Sequence, residues 1–168
     1  MDAIFDATIQ VLLAEGLQRL TTIRVAARAG VSVGTLYQYF PQKQALLFAV
    51  LQRHLERVVR AIEDATASAH NACLSTMVKG VVAAFVKAKT ENLDESRALY
   101  AVALELDSRG YVREVEARNR AALEAMLKTA SDAHFDDIST TIFMFRGQLE
   151  SLCLGYLERE ARPKCSAN

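Results

Sequence analysis

Apolar residues recur along this chain at helical spacing, and the breaks between the apolar stripes fall on residues that stop helices. Ile4, Ala7, Val11 and Ala14, reinforced by Ile9 and Leu12, form one stripe of a first helix over about 3–14, with Gly16 at its C-terminal stop. Thr21 and Thr22 suit the N-cap of a short helix through Ala29, which Gly30 ends. Ser32 can cap a third helix of about seven residues through Tyr39, and Pro41 closes it because the residue before a proline leaves α geometry. From Lys43 the stripes lengthen. Leu46, Leu47, Val50, Leu51, His54, Leu55, Val58 and Ile62 predict a long helix over about 43–66, followed by helices near 72–90, 96–106, 111–130 and 136–159. The run from Ala98 to Leu104 is apolar all round and so predicts a buried helix. Val112, Val115, Ala122, Leu123, Met126 and Leu127 face inward on the next helix, with Glu114/Arg118 and Glu116/Arg120 as exposed i,i+4 pairs.

Composition narrows the class to all-α. Of 168 residues 51% are hydrophobic, only seven are Gly and two are Pro, too few turn residues for a many-stranded sandwich or barrel and too apolar for a disordered tail. The pattern is a small N-terminal module of three short helices, joined by a long helix to a larger helical region. Twenty basic and twenty acidic residues cancel. Residues 1–60 nevertheless carry seven Lys/Arg against four Asp/Glu, so the basic excess lies towards the N-terminal end of the chain. Such an excess is either an ordinary solvated face or a polyanion-binding surface.

Cys73, Cys153 and Cys165 are odd in number and far apart, which argues against a disulfide framework and for a reducing, cytoplasmic setting. Cys73 and Cys153 read as small packing residues, and Cys165 as an exposed thiol. No apolar stretch approaches the length of a membrane span, and the start of the chain shows no export signal. His54, His70 and His134 lack ligand spacing, His54 is expected to be satisfied within the core, and no phosphate-loop, metalloprotease, nucleophile-elbow or dinucleotide motif occurs. No metal, cofactor or enzymatic activity is therefore expected.

The chemistry concentrates in residues 22–41, Thr-Ile-Arg-Val-Ala-Ala-Arg-Ala-Gly-Val-Ser-Val-Gly-Thr-Leu-Tyr-Gln-Tyr-Phe-Pro. Ala26 is small where two helices cross, Gly30 supplies a left-handed turn, and Val25, Ala29, Val31, Leu36 and Phe40 make a minimal core that fixes the interhelix angle. Val33, Gly34, Thr35, Gln38 and Tyr39 are left as small or hydrogen-bonding side chains, as a surface entering a major groove requires. This is a helix-turn-helix, against which the alternative is an ordinary helical corner.

On the run Leu20-Thr-Thr, Val25-Ala26, Ala29-Gly30-Val31-Ser32, Gly34-Thr35-Leu36-Tyr37, Tyr39-Phe40-Pro41, Lys43 and Leu46-Leu47, the chain resembles the TetR family of bacterial transcriptional regulators. The resemblance covers about residues 4–57. It implies a helix-turn-helix DNA-binding domain over 1–45 and a helical effector-binding and dimerisation domain over 46–168. It also implies phosphate contacts from Thr22, Tyr37, Tyr39 and Lys43, base contacts from Val33, Gly34, Thr35 and Gln38, and either kind from Arg24. The family carries a short basic extension before its first helix, which is not seen here. It ends in two helices that pack against their dimer mates, where this sequence reads as one continuous helix.

The implied function is a ligand-responsive transcriptional regulator, a repressor released from double-stranded operator DNA by a small-molecule effector. The alternatives are a helical interaction protein without operator binding and, further off, a helical-bundle enzyme. Tyr100 and Glu105 either find internal partners or reach water, or they line an effector pocket with Met77, Phe85, Leu104 and Met126. Ile142, Phe145, Leu149, Leu152 and Tyr156 recur at helical spacing where the family forms its homodimer, or else pack on the chain's own core.

Overall fold

The computed structural model describes residues 1–160, with side chains through Tyr156, and consists among those residues of eight α-helices and no strand. They are α1 (Asp2–Glu15), α2 (Thr22–Ala29), α3 (Val33–Tyr39), α4 (Lys43–Ser68), α5 (Leu74–Thr90), α6 (Leu93–Glu105), α7 (Arg109–Leu127) and α8 (Ile138–Glu160). Cys165 lies outside the described residues. No described helix is long and apolar enough to cross a membrane.

The chain divides into two compact units, the first comprising Met1–Arg57 and Asp94–Glu114, the second Val58–Leu93 and the residues from Val115 onward. In the first, the helix ends are set by the expected caps. Gly16 and Gly30 both take positive φ, 78° and 69°, a region that glycine enters without the Cβ clash other residues meet. The Gly30 N–H bonds back to the carbonyls of Ala26 and Ala27, and the Val31 N–H to Ala26, which ties off α2. Thr21 accepts from the Arg24 N–H at 3.3 Å and Ser32 from the Thr35 N–H at 2.9 Å, so both short helices begin on a side-chain cap.

Ile4, Leu12, Leu20, Val25, Ala26, Leu36, Leu46, Val50 and Leu51 make one core, and Leu99 and Val102 of α6 complete it. Arg53 of α4 holds α1 by stacking 5.0 Å over Phe5 and pairing with Asp6 at 2.9 Å. His54 is buried, as expected, and lies beside the carboxylate of Glu95, which Arg57 also reaches at 3.0 Å. The His54 imidazole first, and the Arg57 guanidinium after it, hold that carboxyl below the usual glutamate range and tie α6 to α4.

Helix α6 corrects one expectation. Its apolar run is not buried all round: Leu99 and Val102 turn inward with Ala98 and Ala103 packed partly against the same core, while Tyr100 and Leu104 are 44% and 74% exposed. A helix on the rim of a core has one face to bury, whatever the composition of the other.

In the second unit Met77, Val81, Leu123, Met126, Leu127 and Ile142 form one cluster, and Val58, Ile62, Phe85 and Ala88 another. Arg118 makes a two-pronged bond across to Glu63 on α4, at 3.0 and 2.9 Å, a partner that helical spacing along α7 did not indicate. Asp132 accepts from the Leu74 N–H at 2.7 Å, capping α5 from a distant part of the chain. The last helix is continuous from Ile138.

Candidate nucleic-acid interface

Helices α2 and α3 build the candidate interface by separating apolar from polar side chains. Leu36 has no exposure, Val25 and Ala26 none, and Val33 packs against the same core, so α3 is pinned along one side. Its other side presents Gly34, Tyr37, Gln38 and Tyr39, of which the two tyrosines are 46% and 57% exposed. These are donors, acceptors and a bare stretch of backbone, the groups that meet phosphate oxygens and base edges.

The expected contact residues do not all stand alike. Thr22 is buried and its hydroxyl donates to the Tyr37 phenol at 3.0 Å, so this side chain positions Tyr37 rather than facing solvent. Tyr37 accepts that bond and keeps its own proton for another acceptor. Thr35 is half-buried, its hydroxyl 2.8 Å from that of Ser32. Lys43 is half-buried at the start of α4 and donates to the Leu17 carbonyl at 3.1 Å, leaving further ammonium hydrogens. Arg24 is exposed, pairs with Glu15, and lies 3.5 Å from the Arg19 carbonyl. Gly34 is exposed, and a Cβ there would meet only the Ser32 hydroxyl at 3.7 Å. Nothing inside the protein requires glycine at that position.

The residues expected to line an effector pocket are not brought together. Met77 and Met126 are buried in one cluster and Phe85 in another, while Tyr100, Leu104 and Glu105 stand exposed on α6, where Glu105 accepts from Gln18 at 3.2 Å. The second unit does hold a cavity, lined by Phe85 together with residues such as Asn119, Phe145, Arg146 and Leu149. Asn119 was legible as a polar residue on the inward stripe of α7, four positions from Val115 and four from Leu123, but its stripe reads as core without the cavity beside it.

The expected dimer stripe is split as well. Ile142 is 1% exposed and sits in the unit's own core, with Phe145 and Leu149 packed against the two clusters. Leu152 and Tyr156 are exposed, and so are Phe143 (79%) and Met144 (57%), which sequence spacing did not single out. The signal was present in the spread of large apolar residues round this helix, which puts some of them outward among exposed polar ones such as Thr140, Gln148 and Ser151.

Residues 4–50 match the family described as bacterial regulatory proteins, tetR family, and residues 73–164 match the tetracyclin repressor-like C-terminal domain. The nucleoid occlusion factor SlmA of Actinobacillus pleuropneumoniae is 34% identical over 90 residues, covering 54% of this chain and 44% of that protein. The HTH-type transcriptional repressor KstR of Mycolicibacterium smegmatis is 46% identical over 55 residues, 33% of this chain and 27% of the repressor. The aligned part is thus less than half the length of these curated relatives. The solved structure of the fatty acid degradation regulator FadR from Bacillus halodurans superposes with a TM-score of 0.74, covering 99% of this chain and 91% of that one at 21% identity, a likeness of fold.

Proposed function

The chain belongs to the TetR family of bacterial regulatory proteins, and we propose that it is a ligand-responsive transcriptional regulator, a repressor that binds operator DNA as a homodimer in the cytoplasm. The observation that carries this reading is the exposed row Gly34, Tyr37, Gln38 and Tyr39 on a helix pinned by Leu36. In this reading Tyr37, Tyr39, Lys43 and Arg24 hold the phosphate backbone, while Gly34, Thr35, Gln38 and the edge of Val33 meet bases. Thr22 acts through Tyr37. Residues 1–45 read DNA, and residues 46–168 supply the effector and dimer functions. The name of the relative KstR supports the sign of regulation.

A single recognition helix offers too few base contacts for a usable switch, so two copies are needed on half-sites about 34–36 Å apart. The large apolar residues that α8 leaves exposed, Phe143, Met144, Leu152 and Tyr156, are the groups we assign to contact with the second copy. An effector that prefers one arrangement of the dimer shifts the population away from the spacing that fits successive major grooves.

Retardation of DNA upstream of the protein's own gene, against random DNA of equal length, tests the reading. Specific retardation that steepens as salt falls is expected, since each neutralised phosphate adds about 0.9 to the salt slope. Equal or absent binding to both DNAs would leave the helical interaction protein as the better account.

A further inference from the structure

The neighbours of α2 account for most of its circumference. At about 100° per residue, Val25, Ala26 and Ala29 turn into the core of the first unit. Arg24 and Arg28 turn towards α1, where Arg24 pairs with Glu15 and Arg28 donates to the Gln10 side-chain carbonyl at 2.7 Å. Thr22 turns towards α3 and donates to the Tyr37 phenol at 3.0 Å. The outer sector between Thr22 and Arg24 is left to Ile23 and, one turn on, Ala27, both exposed.

Ile23 is 61% exposed. A single exposed aliphatic side chain is common on a protein surface. This one follows Thr22 in the chain, and the Thr22 hydroxyl holds Tyr37, so Ile23 borders the row assigned to DNA. It neither donates nor accepts a hydrogen bond, so it has nothing to offer a phosphate or a polar base edge. The major groove presents one apolar group, the C5-methyl of thymine. That methyl stands at the edge of its base nearest the phosphates of its own strand. A short side chain flanking a phosphate contact therefore reaches it, whereas the groups at the centre of the groove call for a longer one.

We propose that Ile23 selects a thymine in each operator half-site by packing on its C5-methyl. The proposal rests on the operator-binding reading and adds to it a base contact from α2, beside those of α3. Phosphate contacts set the position of a protein on the duplex, and base contacts then discriminate. Here Tyr37 does the first and Ile23 the second, with the buried Thr22 joining them: its hydroxyl fixes the phenol, and its backbone leads directly into Ile23. The distance from the phosphate to the aliphatic side chain is thus held by two packed helices.

Uracil lacks only that methyl, so replacing thymines by uracil one at a time, in an operator obtained by site selection, tests the contact. The full-length wild type should lose about fourfold in affinity at the thymine that Ile23 meets, the worth of one buried methyl. Ile23→Ala, an exposed change to a better helix former, should keep the fold and lose at least as much on the thymine operator. It should then lose nothing more when that thymine becomes uracil. A wild type indifferent to uracil at every position would overturn the proposal without any variant. So would an Ile23→Ala protein that binds the thymine operator as tightly as the wild type, or one with the same uracil profile. Specific retardation without this coupling removes only the Ile23 contact, whereas absence of specific retardation removes the regulator reading and the contact with it.

Discussion

Helices α3 and α8 both leave one side uncovered, but the two sides are of opposite character. In α3 the apolar residues face the core and the exposed row is polar or bare, Gly34, Tyr37, Gln38 and Tyr39. In α8 Ile142, Phe145 and Leu149 turn inward, yet Phe143, Met144 and Leu152 stand 79%, 57% and 74% exposed on the outside. The first surface suits a hydrated, charged partner that offers phosphates and base edges. The second suits a partner that can cover apolar groups, such as another copy of the same helix. Exposure alone therefore says little about function, and the chemistry of what is exposed says which partner fits.

The sharpest way to break this comparison is to place a charge on each side of α8. Ile142→Glu buries an unpaired carboxylate among Met77, Leu123 and Met126 and should cost on the order of 4 kcal/mol, collapsing the second unit in urea unfolding. Phe143→Glu should leave the helical content intact and yield monomers in sedimentation at micromolar concentration, with operator affinity lost. A Phe143→Glu protein that stays dimeric would mean that the outer face of α8 is not the interface.

Substitutions on α3 test the polar side with smaller effects. Gln38→Ala should cost about 1–3 kcal/mol at one operator position and leave random DNA binding unchanged, as read by selection of preferred sites. Unaltered base preferences would remove Gln38 from the reading surface.

Gly34→Ala sharpens the contrast further, because its two consequences have opposite sign. A Cβ fits the free protein, with only the Ser32 hydroxyl at 3.7 Å, so the substitution should stabilise α3 by up to about 1 kcal/mol in thermal unfolding. On DNA the same methyl occupies the line of approach, and affinity should fall. A stabilised protein with full affinity would show that no backbone approach occurs there.

The smallest effect concerns Thr22, whose hydroxyl is spent on Tyr37 at 3.0 Å. Thr22→Val and Tyr37→Phe should each weaken all DNA binding by roughly 0.5–1 kcal/mol, and the double mutant should lose no more than Tyr37→Phe alone. Additive losses would give Thr22 a DNA contact of its own.

Helix ends, caps and the helix-turn-helix were readable from residues alone because each depends on neighbours within a few positions. Gly16 and Gly30 take the positive φ their places demand, Thr21 and Ser32 cap as expected, and Leu36 fills the small core. Local geometry fixes those outcomes before any distant contact forms. The amphipathic pattern of α3 also announced which side would remain free, since burial selects the apolar side.

Tertiary structure decided the rest where local rules permit more than one answer. Spacing could not say which residues of α8 would pack, because large apolar side chains occur right round it, and it could not say that only one side of α6 would be covered. Arg118 closed on Glu63 of another helix, a partner its own spacing did not indicate, and Thr22 is buried with its hydroxyl bonded to Tyr37. The unpartnered carbonyl of Asn119 belongs to the same class: its place on the inward stripe follows from a period of 3.6 residues, but its lack of a partner follows from what four helices of the second unit leave unfilled beside it.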